Sequence, residues 1–115
     1  MEPKDFVKLV EEWMDAKNAV DIQVIDICGM SPLADYFVIC GGNSERQVKA
    51  IADNIEYEAS KLGIEPKSIE GGQTARWILM DYADVVIHVF HEEDRAFYDL
   101  ERLWKDGVRP DTTQE

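Results

Sequence analysis

One amphipathic helix constrains the fold of this chain more than any other feature of its sequence. Six apolar residues recur there at helical spacing: Val48, Ile51, Ala52, Ile55, Ala59 and Leu62. A stripe of this kind is stable only when other apolar surface covers it. Ser44 followed by Gln47 fits a capping box at the start of the helix, and Gly63 is suited to its end. We therefore predict a helix from about residue 44 to residue 62 that packs against other elements of a core.

Strand-like segments lie on both sides of this helix. Residues 36–40 form a continuous apolar run, which is typical of a central strand covered on both faces. Residues 20–28 alternate between apolar and polar and predict a strand with one wetter face. Residues 76–81 and 84–90 are separated by only two residues, which predicts a tight hairpin, and residues 68–70 suit a short strand before it.

Two further helices complete the predicted order of elements. Pro3 suits a first helical turn, and an apolar face from Phe6 to Met14 predicts a helix over residues 3–17. A last helix is predicted from near Glu92, followed by a polar tail. We expect an α/β fold with a mixed sheet of about five strands and helices packed against it. The connection through the long helix is expected to be a right-handed parallel crossover.

Length and composition limit the architecture to one domain. The chain has 115 residues, 45% of them hydrophobic, which suffices for a core without a metal or a disulfide. We expect residues 1–108 to form the domain and residues 109–115 the tail. Cys28 and Cys40 lie in apolar runs and are expected to be small buried residues in a reducing compartment. No apolar run is long enough to span a bilayer, so we expect a cytosolic protein.

The net charge of the chain indicates which classes of partner it can bind. Twenty-four acidic residues against twelve basic ones give a formal net charge of −12. Nucleic-acid binding normally depends on clustered Lys and Arg, so this balance argues against it. A strongly negative charge either keeps the protein in solution or favours a basic partner, and composition alone favours the first interpretation.

Two patterns in the sequence bear on whether the chain has a catalytic or metal site. His88 and His91 are three residues apart in a predicted strand, so they point to opposite faces and do not suit one metal. We expect His88 to be a strand histidine with a satisfied hydrogen bond. The turn at residues 41–44 resembles the glycine-serine turn of nucleotidyltransferases, but Asp53 has no second carboxylate two positions away to hold magnesium. We predict no catalytic residue, no cofactor and no metal.

The predicted hairpin carries the remaining candidate site. Trp77, Leu79 and Asp81 share one face of the strand, and Ile78, Met80 and Tyr82 share the other. From Asp81 to Asp94 the sequence has five acidic residues and no Lys or Arg. An aromatic anchor surrounded by acids is typical of a protein-interaction site. The alternative is that Trp77 belongs to the core and the acids are merely solvated, and the residues alone favour neither.

Four segments of the chain resemble one known family. Residues 35–39 (DYFVI), 42–48 (GNSERQV), 77–90 (WILMDYADVVIHVF) and 95–104 (RAFYDLERLW) closely resemble the Iojap family of ribosomal silencing factors. The resemblance covers roughly residues 6–107. One departure is Ala83, where the family often has glycine.

The resemblance implies a fold, a partner and a contact surface. The implied fold is related to that of nucleotidyltransferases but lacks their metal-binding carboxylates. The implied function is binding to the large ribosomal subunit through ribosomal protein L fourteen, which blocks subunit joining when nutrients are scarce, with a homodimer as the free form. The expected contact residues are Trp77, Leu79, Met80, Asp81, Tyr82 and Asp84, with Tyr98 and Asp99 as outer candidates. Two alternatives stay open: a nucleotide-binding catalyst, and a Trp77 patch that serves as the homodimer interface.

Overall fold

The architecture of the chain was obtained as a computed structural model that describes residues 1–30, 32, 34–71 and 76–93. The elements in order are α1 (Pro3–Asp15), β1 (Val20–Asp26), β2 (Tyr36–Gly42), α2 (Glu45–Lys61), β3 (Ser68–Glu70), β4 (Trp77–Asp81) and β5 (Val85–His91). The predicted α/β class is confirmed. The predicted last helix beyond residue 93, the tail at 109–115, and both Tyr98 and Asp99 lie outside the described residues.

The five strands form one mixed sheet in the order β1-β2-β5-β4-β3. β2 and β5 are parallel, and the other three neighbouring pairs are antiparallel. The predicted hairpin is the β4–β5 pair. Because β2 and β5 run in the same direction, the chain between them must return to its starting end, and α2 lies in that connection. Within the described ranges, no helix is long and apolar enough to cross a membrane.

β1 departs from the regular alternation that its sequence predicts. Its pairing with β2 jumps from Val20 opposite Gly41 to Gln23 opposite Ile39, so it contains a bulge. Asp21 at this bulge has a φ of 53°, in the left-handed region. The strand also ends two residues before the predicted end at Cys28, because the Cys28 amide donates to the Asp26 carboxylate in a turn.

β2 continues through the two glycines that were expected to end it. Gly41 pairs with Phe90 and Gly42 with His91. A Cβ at Gly42 would lie 2.9 Å from Cγ2 of Val48, so only glycine allows α2 to approach the strand this closely. Gly42 therefore serves helix–strand packing.

The predicted capping box at the start of α2 is confirmed. The Ser44 hydroxyl accepts a hydrogen bond from the Gln47 amide at 3.1 Å, and the Gln47 side-chain oxygen accepts one from the Asn43 amide. The Gln47 side-chain nitrogen also donates to the carbonyls of Lys17 and Asn18. One side chain thus joins the start of α2 to the turn between α1 and β1.

The sheet has two faces with different partners. One, which we call the helix face, packs against α1 and α2 and forms the larger core; it includes Val10, Met14, Val38, Ile51, Ile55, Ile78, Met80 and Ile87. Alternate residues along each strand point to the other side, which holds a smaller buried cluster of Ile27, Ala34, Phe37, Ile39 and Phe90. We call this second side the aromatic face, because it carries Phe37, Trp77, His88 and Phe90.

Candidate partner-binding face

β4 divides the predicted contact residues between the two faces of the sheet. Exposure alternates along the strand, with Trp77, Leu79 and Asp81 half-buried and Ile78 and Met80 only 2% and 0% exposed. Met80 packs with the helices in the larger core. It was expected to contact a partner, and this is corrected, because a fully buried side chain offers no surface to one.

Tyr82 also lies on the helix face. Its ring centroid is 5.1 Å from that of Phe6 at an interplanar angle of 59°, and it packs against the larger core. Burial raises the pKa of the Tyr82 hydroxyl well above its usual range, and the nearby charges of Glu56 and Glu65 raise it further. Of the predicted contacts on β4 and its bend, only Met80 is buried; Trp77, Leu79, Asp81 and Tyr82 are half-buried and Asp84 is exposed.

The aromatic face carries a row of four rings from three strands. The centroids of Phe37 and His88 are 4.9 Å apart, those of His88 and Phe90 6.0 Å, and those of Phe90 and Trp77 6.5 Å. The last two pairs are stacked, with interplanar angles of 17° and 25°. Such pairs stabilise one another beyond the area they bury. Phe37, His88 and Phe90 are buried, so Trp77, which is half-buried, is the accessible end of the row.

His88 in this row contradicts the hydrogen bond expected of it. Neither of its ring nitrogens has a hydrogen-bond partner, although the side chain is only 6% exposed. Burial lowers the pKa of His88 to about 4, so the imidazole is neutral at pH 7. His91 differs, because its Nδ1 accepts a hydrogen bond from the Glu93 amide at 3.2 Å. In the part of the chain that the structure describes, no three His, Cys, Asp or Glu side chains are placed to share a metal ion.

Four aspartates come together at one end of the sheet. Asp26 ends β1, Asp81 ends β4, and Asp35 and Asp84 immediately precede β2 and β5. These strand ends are neighbours, and the Asp84 carbonyl accepts a hydrogen bond from the Asp35 amide at 2.8 Å. With strands about 4.8 Å apart, the row extends roughly 15 Å across the sheet. We call these four residues the acidic end.

The carboxylates of the acidic end differ in their local partners. Oδ1 of Asp81 accepts a hydrogen bond from the Ala83 amide at 2.8 Å. The Cys28 amide donates to Asp26 and holds the pKa of that carboxyl below its usual value. The Asp84 side chain is exposed and has no ion-pair partner among the described residues. Several negative charges at one end of the sheet attract a basic partner.

Sequence reasoning identified only half of the acidic end. Asp81 and Asp84 were predicted from the hairpin, whereas Asp26 and Asp35 were not. Their positions in the sequence could have identified them. Both flank the connection between the antiparallel strands β1 and β2, so they must lie at the same end of the sheet.

The predicted ring of five acids around the tryptophan does not form. Glu92 and Glu93 follow β5, whose seven residues span roughly 20 Å, so they lie at the opposite end of the strand from Asp84. Glu93 is also 3.4 Å from the Arg76 guanidinium, which approaches Glu45 at 3.8 Å. The acids therefore divide between the two ends of the sheet: Glu92 and Glu93 lie at the end where Trp77 pairs with Phe90, and Asp81 and Asp84 belong to the acidic end.

The two cysteines occupy different environments. Cys40 is buried, as expected, whereas Cys28 is exposed, which corrects the expectation for it. The Cys28 thiol donates to the Asp35 carbonyl at 3.6 Å, and its contact with Asp26 raises its pKa. A thiol whose pKa is raised forms little thiolate at pH 7, so Cys28 is a poor nucleophile.

The glycine-serine turn has a structural role that accounts for its sequence. The Asn43 and Gln47 amides, which could face a phosphate, donate instead to side chains of the capping box. Asp53 is paired with Lys49 at 3.0 Å on the exposed side of α2. These contacts support the interpretation of the turn as packing and capping, and they give no support to the alternative of a nucleotide-binding catalyst.

Comparison with known proteins identifies the family. The family model described as ribosomal silencing factor during starvation matches residues 1–115. The chain belongs to this family. It is 47% identical over 111 residues to the ribosomal silencing factor RsfS of Bacillus subtilis, a match that covers 96% of this chain and 94% of that protein. The Iojap resemblance is confirmed as well, since the chloroplastic protein Iojap of Zea mays is 31% identical over 89 residues, or 76% of this chain and 38% of that one.

A solved structure supports the same fold. A crystal structure of a protein from Chromobacterium violaceum matches with a TM-score of 0.88 and 33% sequence identity, covering 96% of this chain and 91% of that chain. At this identity, and over nearly the whole length, the five-stranded sheet and its helices belong to a fold that the family shares.

Proposed function

We propose that this protein represses translation by docking onto the large ribosomal subunit. In this proposal it binds ribosomal protein L fourteen in the cytoplasm and prevents the small subunit from joining. The effect is steric, because one bound domain occupies a surface that the two subunits would otherwise share. No bond is made or broken, so the protein acts as a binding factor and not as an enzyme.

The observation that carries this proposal is the accessible side of β4, which bears the half-buried Trp77 and Leu79 and ends at the acidic end. Trp77 and Leu79 offer apolar area on the aromatic face, and Trp77 is held by its stack with Phe90. Asp81 and Asp84 lie at the bend between β4 and β5, close to Leu79 and roughly 13 Å along the strand from Trp77. Anchors of this kind contribute most of the binding free energy at protein interfaces, while surrounding charges select the partner.

The acidic end suits a ribosomal partner for an electrostatic reason. Ribosomal proteins that contact RNA carry many Lys and Arg residues, and carboxylates form charge-assisted hydrogen bonds with these side chains. We extend the proposed contact set to Asp26 and Asp35, because they share the acidic end with Asp81 and Asp84. Tyr98 and Asp99 remain proposed outer contacts. Similar proteins from Bacillus subtilis and Halalkalibacterium halodurans are named ribosomal silencing factors, which supports a ribosomal partner.

The Trp77→Ala variant tests this proposal. Removing an interface hot spot should weaken binding by about 2–4 kcal/mol, while the variant stays folded because Trp77 is only half-buried. Binding is measured by sedimenting the protein with purified large ribosomal subunits. Tyr57→Ala is the matched control, since Tyr57 is an aromatic residue on α2 that is 61% exposed and far from β4 in the sequence. A folded Trp77→Ala variant that sediments as the wild type does would refute the assignment.

The aromatic face also suits a second copy of the chain when no ribosome is bound. We propose that the free protein is a homodimer, and light scattering of the Trp77→Ala variant shows whether this face holds it together. A variant that becomes monomeric but still binds large subunits would assign Trp77 to the dimer interface and leave the ribosome contact elsewhere.

A further inference from the structure

We propose that Gly71 is a positioning residue that holds the Trp77 indole in the orientation used for docking. The inference rests on the proposed function, because it concerns the same anchor. Gly71 follows β3 directly and has a φ of +82°. This is a left-handed backbone conformation, which residues with a Cβ adopt only with strain.

The contact between Gly71 and Trp77 leaves no room for a side chain. A Cβ built on Gly71 would lie 2.2 Å from the Trp77 carbonyl oxygen, 2.5 Å from Cε3 and 2.9 Å from Cζ3 of its ring. The Gly71 backbone therefore lies directly against both the main chain and the six-membered ring of Trp77. A Cβ there would have to displace one or the other.

Phe90 supplies the second restraint on the same ring. It stacks with Trp77 at a centroid distance of 6.5 Å and an interplanar angle of 25°. Phe90 is only 1% exposed and is held in turn by the ring of His88. The indole thus contacts two different segments of the chain, Gly71 in the connection from β3 to β4 and Phe90 on β5, and these contacts define its orientation before any partner arrives.

A restrained anchor binds more tightly than a mobile one. Immobilising a side chain on binding reduces affinity by roughly twofold to tenfold, and an anchor that is already fixed avoids this loss. Trp77 is half-buried in the free protein, so its exposed part is presented in one orientation. In this role Gly71 acts through Trp77 and does not itself touch the partner.

The chain offers a matched pair of substitutions to isolate this effect. Gly71→Ala and Gly63→Ala both place a Cβ on a left-handed residue, with φ of +82° and +78°. At Gly63 nothing lies within 4 Å of the new atom, whereas at Gly71 it meets Trp77. The two variants should therefore have similar backbone strain and differ in the contact with the indole.

Two measurements are made on each variant. The first is affinity for purified large ribosomal subunits. The second is the fluorine NMR spectrum of protein labelled with 5-fluorotryptophan, in which Trp77→Phe assigns the resonance of Trp77. We expect Gly71→Ala to move the Trp77 resonance and to bind about tenfold more weakly than Gly63→Ala. We expect Gly63→Ala to leave that resonance in place.

Several outcomes would overturn the proposal. It fails if Gly71→Ala binds as tightly as Gly63→Ala, whether or not the resonance moves, and it fails if binding weakens while the resonance stays in place. Failure of the docking assignment itself looks different, because Trp77→Ala would then bind as the wild type does.

The wild-type protein provides the test if Gly71→Ala does not fold. The proposal requires a single Trp77 resonance whose relaxation matches that of the rigid backbone in the free protein. A Trp77 ring that averages among rotamers before binding would contradict it.

Discussion

The two faces of the sheet differ in how much of each strand they hide. On the helix face, Val38, Met80 and Ile87 are 0% exposed and covered by α1 and α2. On the aromatic face, Trp77 and Leu79 from the same strand as Met80 stay half-buried. Neighbouring residues of β4 therefore have different roles, one set in folding and the other in the proposed docking. The predictions that follow test this division, beginning with the largest expected effect.

Met80→Ala should reduce the free energy of unfolding by about 2–5 kcal/mol, because it leaves a cavity in the larger core. Urea denaturation measures the change. Trp77→Ala should cost less stability, since part of that side chain already contacts solvent. Affinity for large ribosomal subunits, corrected for the folded fraction, should be unchanged in Met80→Ala. A larger loss of stability in Trp77→Ala than in Met80→Ala would contradict the division of the two faces.

Acid should lower the free energy of unfolding through protonation of His88 on the aromatic face. Its pKa is lowered to about 4 in the folded protein from 6.5, so the unfolded chain binds the proton more readily. The stabilisation that His88 contributes is therefore present above pH 6.5 and is lost as the pH falls towards 4. Between pH 7 and pH 5 this loss amounts to about 2 kcal/mol.

The His88→Leu variant isolates that contribution. Carboxylates also titrate in this range, but they do so in both proteins, so the difference between wild type and variant reports His88. Urea denaturation at pH 7 and pH 5 should show a shallower pH dependence in the variant. Equal dependence in the two proteins would contradict a buried, neutral His88.

The bend that joins β4 to β5 contains a strained residue. Ala83 has a φ of 72°, which costs a residue with a Cβ about 1 kcal/mol relative to glycine. Ala83→Gly should therefore raise the free energy of unfolding by about 1 kcal/mol, measured as a higher melting temperature. Ala50→Gly is the matched control, because Ala50 lies inside α2, where glycine should lower stability by a similar amount. A destabilised Ala83→Gly variant would contradict the strain.

The smallest expected effect concerns the acidic end. Asp84→Asn should slow association with large subunits a few-fold and make the rate less sensitive to salt, because Asp84 is exposed and contributes by long-range attraction. Stopped-flow mixing at two ionic strengths measures both quantities. Asp53→Asn removes the same charge from α2, where Asp53 pairs with Lys49, and should change the rate less. Equal effects of the two substitutions would show that only net charge matters.

Local patterns in the sequence determined the elements and the division of β4. The helical spacing of Val48, Ile51 and Ile55 predicted α2, and Ser44 caps its start through the Gln47 amide as predicted, although the Gln47 side chain accepts from the Asn43 amide. Alternation along residues 77–81 predicted which side chains share a face. These features depend on residues a few positions apart, and backbone geometry alone fixes their relation.

Only the tertiary structure decided which face of the sheet the helices cover and what meets on the other one. Met80 and Trp77 were equal candidates for contact until α1 and α2 were placed on one side. Tertiary packing also left His88 without a hydrogen-bond partner and brought Gly71 against the Trp77 ring. The order of the strands placed Asp26 and Asp84 at the same end of the sheet. Each depends on segments that are distant in sequence or on packing in three dimensions, and no periodic pattern records such contacts.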